Sequence, residues 1–238
     1  MPKDCTGPDE ILILSFKQSY LRIGYLIRVC VWWLTFSLLV VTIPPALAGL
    51  YHAVREGLRD PFELTVKPRQ AFLGGVGLHL KRSYILTLLN LGALAIIVLG
   101  VLFWFTREEQ TLRLVTVIAL AVLLFWWLCQ PFLFALLVEY PNLSAWQVYR
   151  RTMRVVILSP FYALAIALAN TIIFVFALIL LGPSLLYAPT LLALISIQAL
   201  WGMTCTEIPD LIDPVVYSER RAQKKEGSMK NGNHHSTV

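Results

Sequence analysis

Charge is scarce in this sequence. Only 14% of its 238 residues are Asp, Glu, Lys or Arg, against about 25% in ordinary globular domains, which excludes a compact, water-covered surface. Acids are missing from every long apolar run, since all fourteen Asp and Glu fall outside them. Proton relays, ion-coupled transport and intramembrane carboxylate chemistry rely on such buried acids, so none of these is expected. Cysteine is sparse too: Cys5, Cys30, Cys129 and Cys205 lie too far apart for a zinc site or a disulfide framework. His52 and His79 stand without metal-ligand spacing, and His234 and His235 sit in a polar tail. Gly74-Gly75-Val76-Gly77 follows no strand and matches no phosphate-binding loop; it reads as flexibility ahead of an apolar helix. No enzymatic activity, no cofactor, no metal and no nucleic-acid partner is expected.

What the chain does have is apolar length. Hydrophobic residues make up 58% of it, and the mean hydropathy is +0.69. A helix needs about 20 apolar residues to cross a ~30 Å hydrocarbon core. Residues 83–105, 114–138, 155–181 and 184–204 meet that need without a charge, and 25–45 meets it with Arg28 alone in its first turn. The alternation of a membrane β-barrel is absent. The fold class expected is an all-α membrane protein of five transmembrane helices spanning 25–204. An amphipathic segment, 1–24, precedes them and lies at the interface, with its helical pattern running over 9–28. A basic cytoplasmic tail, 205–238, follows and is expected to be disordered from about residue 218. Gly182-Pro183 joins the last two runs as a tight hairpin. Pro44-Pro45, Pro131, Pro160 and Pro189 are expected to kink or end their helices.

Five crossings place the termini on opposite faces. The face holding the amino terminus receives six Lys and Arg, and the other receives fourteen. Positive-inside bias therefore puts the amino terminus outside and the carboxyl terminus in the cytoplasm of a cell (inner) membrane. A secretory signal cleaved after Ala46-Leu47-Ala48 is the competing reading; it would export the basic 51–82 segment and invert that bias.

Two constellations carry binding chemistry. Asn90, Gln130, Asn170 and Gln198 place one amide in each of the last four runs. Amides in lipid seek partners, so they should face the interior as a polar tier near the bilayer centre. They can act as interhelical glue, at ~0.6 kcal/mol each, or line a site for a small polar solute. In the tail, Arg220, Arg221, Lys224 and Lys225 can contact anionic lipid at about 1 kcal/mol per charge, or serve only to fix topology.

A family resemblance adds to this. The run from Trp33 through Thr42-Ile43-Pro44-Pro45-Ala46 to Tyr51 resembles the first-span pattern of the YesL-like family, small bacterial membrane proteins of unknown function. Arg69-Gln70-Ala71-Phe72 up to Lys81-Arg82, Glu139-Tyr140-Pro141, and Arg150 to Arg154 leading to Ser159-Pro160 are similar as well. So is the closing Gly182-Pro183 with Leu185, Leu186 and Pro189. The resemblance covers roughly residues 20–205 and implies a five-span plan. It also implies a link to carbohydrate uptake, with a transporter permease subunit as partner, and it carries over no ligand residues. The leading expectation is a non-enzymatic membrane protein that assists or regulates such a transporter. The alternative is a small permease for a polar solute, working by self-association.

Overall fold

The structure, a computed structural model, describes residues 7–59, 67–105, 110–180 and 187–206. These form eight α-helices with no strand among the described residues: α1 (Pro8–Leu21), α2 (Ile23–Ser37), α3 (Ile43–Arg59), α4 (Pro68–Phe105), α5 (Gln110–Glu139), α6 (Ala145–Leu158), α7 (Pro160–Ile179) and α8 (Ala188–Thr206). Three stretches are long and apolar enough to cross a membrane: Pro68–Phe103 in α4, Val117–Glu139 in α5 and Pro160–Ile179 in α7. The chain is an all-helical protein with the features of a membrane protein. The Gly182-Pro183 hairpin and the tail residues Arg220, Arg221, Lys224 and Lys225 lie outside the described residues.

The run 25–45 is not one helix. It is α2, a single 3₁₀ turn at Val40–Thr42, and the first turn of α3. Pro44 and Pro45 begin a helix instead of ending one, because first-turn N–H groups have no intrahelical acceptor to lose. At 15 residues, α2 measures about 22 Å, short of a bilayer core. The chain then doubles back. Tyr25, at the start of α2, donates its hydroxyl to the Ala53 carbonyl at 2.9 Å, and its ring occupies the space beside Gly57 near the end of α3.

The run 155–181 is likewise split. A proline excludes helical geometry from the residue before it, and Ser159 adopts φ −132°, ψ 63°. Residues up to Leu158 therefore belong to α6, which opens on a capping box between Ser144 and Gln147. Pro160 starts α7 as its first residue.

The amino-terminal segment also differs from expectation. The pattern over 9–28 breaks at Arg22, and α1 turns Ile11, Ser15 and Ser19 inward while Ile13, Phe16, Tyr20 and Leu21 are exposed. That buried face packs on α8. Ile11 occupies the space beside Gly202, near the far end of α8. The described ends of α1 and α8 therefore lie side by side, where five crossings would hold them a membrane apart.

Helix α8 is the centre of the bundle. Leu194, Ile195, Ala199 and Leu200 are essentially inaccessible, walled in by α1, α3, α5 and α7. The tightest helix pair is α3 with the first half of α4. A Cβ on Gly75 would lie 2.5 Å from the His52 Cβ, and one on Gly49 would lie 2.9 Å from the Phe72 carbonyl. The glycine cluster at 74–77 is thus helical, and Gly75 serves close approach, not flexibility.

Candidate functional site: an intramembrane amide cleft

The four amides divide between three places. Asn90 of α4 and Gln130 of α5 bond directly, Asn90 Nδ2 donating to Gln130 Oε1 at 2.9 Å. Trp126 Nε1 donates to Asn90 Oδ1 at 2.9 Å, and Gln130 Nε2 donates to the Trp126 carbonyl at 3.0 Å. This knot ties α4 to α5. Gln198 of α8 is buried and engages α1: Ser15 Oγ donates to its Oε1 at 2.6 Å, and its Nε2 donates to Gln18 Oε1 at 2.5 Å. Both clusters are internally satisfied, as packing contacts should be.

Asn170 is different. Its Nδ2 donates to Ser196 Oγ at 3.2 Å, but its Oδ1 is buried without a partner. It borders a cleft of about 320 Å³ between α3, α5, α7 and α8, shared with Tyr51, Trp127, Gln130, Thr171 and Phe174. Pro131 also lines this cleft, and having no N–H it cannot donate to the Trp127 carbonyl four residues back. The lining therefore offers amide, hydroxyl and carbonyl oxygens with three aromatic side chains and no charge. A volume at the lower end of ligand pockets suits a small solute rich in hydroxyl or amide donors.

A second cluster went unseen in the sequence. Glu139, closing α5, accepts from Arg55 Nε at 2.7 Å and from an Arg59 guanidinium N–H at 3.2 Å. Trp201 Nε1 of α8 also donates to it, at 3.4 Å. One turn along α3 from Arg55, the His52 ring lies 5.7 Å from that of His79. Burial pushes the His52 imidazole below its ordinary pKa, and the Arg55 and Arg59 charges add to this while Glu56 opposes it. Arg82 bridges His79 Nδ1, at 3.2 Å, to the Tyr140 carbonyl, at 2.8 Å. The one signal available was the placement of Arg55 and Arg59 a turn apart on an amphipathic helix; their acid lies 84 and 80 residues away. Among the described residues no three His, Cys, Asp or Glu gather as a metal site. No protein-family model, no curated protein and no solved structure matches this chain, so the YesL-like resemblance rests on the sequence motifs alone.

Proposed function

We propose that this chain is a non-enzymatic, multi-pass protein of the cell membrane that holds a small uncharged polar solute in the Asn170 cleft, in support of uptake of that solute. One observation carries the reading: Asn170, which lines a cavity, holds the amide oxygen of the tier left without a partner. A buried acceptor that is never bonded costs about 1–3 kcal/mol, and a hydroxyl-bearing solute removes that cost. Carbohydrates and polyols have this chemistry, in keeping with the role that the YesL-like resemblance implies. The test is thermal melting of the purified protein against a panel of monosaccharides and polyols. A member present at a hundred times its Kd should raise Tm by about 5–10 °C, and Asn170→Leu should abolish the shift. The reading fails if no neutral solute moves Tm, or if Asn170→Leu leaves the shift intact.

The same coordinates support a reading of the arrangement in the membrane. We propose four crossings, α4, α5, α7 and α8, with α1 to α3 gathered at the cytoplasmic face and both termini there. The reversal between α2 and α3 and the contact of Ile11 with Gly202 support it. So does charge: of the twenty Lys and Arg, only Arg107 and Arg113 then fall outside, a stronger positive-inside bias than five spans provide. A reporter active only outside the cytoplasm should be silent at the amino terminus and after Arg151, and active after Glu109. An active amino-terminal fusion would restore the five-span plan.

A further inference from the structure

We infer that the outer wall formed by α4, α5 and α6 is a binding site for one anionic phospholipid, independent of the Asn170 cleft. An apolar groove of about 540 Å³ runs between these helices, with Leu88, Gly92 and Ile96 on one side, Trp126 on the other, and Trp146 and Tyr149 closing its end. Its floor at Gly92 is open, since a Cβ there would meet nothing within 4 Å. The groove lies along the part of α4 whose outward residues, Leu88, Leu91, Ile96 and Leu99, are all exposed. Its surroundings in a membrane are therefore acyl chains, and its volume suits one of them.

Charge supplies the second half of the site. Lys81, Ile85, Leu88 and Gly92 follow one another along a single face of α4. Lys81 stands seven residues before Leu88, about 10 Å up the helix, which is the offset between a lipid phosphate and the upper part of its chains. On α6, Arg150 is one turn beyond Trp146 and adjoins Tyr149, and it is exposed. Neither α4 nor α6 contains a single Asp or Glu. Every ion pair among the described residues involves Arg55 or Arg59, so Lys81 and Arg150 have no acidic partner there. Two uncompensated cations at the head of an apolar groove match a phosphate with an attached chain. The stacked Trp146 and Tyr149 rings, 6.4 Å apart, are of the kind that settles at headgroup depth.

The test is native mass spectrometry of the full chain. The protein is reconstituted with phosphatidylglycerol or phosphatidylcholine at equal mole fraction and then released into mild detergent. One phosphatidylglycerol should remain bound, retained well above phosphatidylcholine. Lys81→Gln and Arg150→Gln should each lower that retention about fivefold without changing the phosphatidylcholine level. Gly92→Leu should fill the groove and expel the lipid without lowering Tm. Equal retention of the two lipids overturns the assignment, as does full retention by the folded Gly92→Leu variant. Loss of an acidic protein instead of a lipid in the Lys81 and Arg150 variants would assign those cations to a protein partner and overturn it too.

Discussion

Glu139→Gln should destabilise the protein by about 3 kcal/mol, the cost of breaking a largely buried ion pair from one side. Arg55 keeps only 11% of its side-chain surface exposed and Glu139 keeps 20%, so solvent can do little to replace the lost carboxylate. The substitution removes the charge, and one of the two acceptor oxygens, that Arg55, Arg59 and Trp201 share. Glu56→Gln provides the contrast. Its contact with Arg55 is longer, at 3.4 Å, and more exposed, so the loss there should stay within about 1 kcal/mol. Replacing Arg55 and Glu139 together by Met and Leu should recover much of the stability lost in Glu139→Gln, since desolvation of the pair offsets much of its attraction. Thermal melts in one detergent distinguish these cases, and a Glu139→Gln loss below 1 kcal/mol would mean that the cluster is structurally incidental.

Gly75→Leu should lower stability by about 3 kcal/mol, the upper end of the range for overpacking a close-fitted contact. Even the first carbon of the new side chain would collide with the His52 Cβ at 2.5 Å and press on the Gly49 Cα at 3.1 Å. Helices α3 and α4 would have to separate along their tightest contact. Gly74→Ala and Gly77→Ala are the internal controls. A Cβ at either position meets nothing within 4 Å, so each should stabilise α4 by up to about 1 kcal/mol through helix propensity. Three glycines within four positions would then differ in sign, and a uniform response would contradict the packing described for α3 and α4.

The same two features show what a linear reading can reach. Helices α4 and α5 were legible because an uninterrupted, uncharged run of bilayer length has few other fates, and an amide inside such a run must find a partner. The reversal after Ser37 was not legible. Prolines at 44 and 45 are compatible with a helix that stops or with one that starts, and only the packing of Tyr25 against Gly57 separates the two. The split at Ser159 was half visible: Pro160 announced a bend, but the apolar residues on either side concealed that two helices meet there. Glu139 lies far along the chain from both of its arginines, and no periodicity relates them. Among the amides, Asn170 looked like its three companions, because a missing partner is a property of the assembled interior and not of a residue type.

The central position of α8 bears on how the protein comes to exist. Ribosomes deliver chain from the amino terminus at about 5–20 residues per second, and the hydrogen bond from Ser15 to Gln198 spans 183 positions. The helix around which α1, α3, α5 and α7 are arranged is therefore the last of the described helices to be synthesised, some 10–40 s after α1 at such rates. Until it arrives, Ser15 and Gln18 have no Gln198 to bond and Asn170 has no Ser196. Those groups must wait unmatched in the meantime, so the bundle cannot close until α8 has been made.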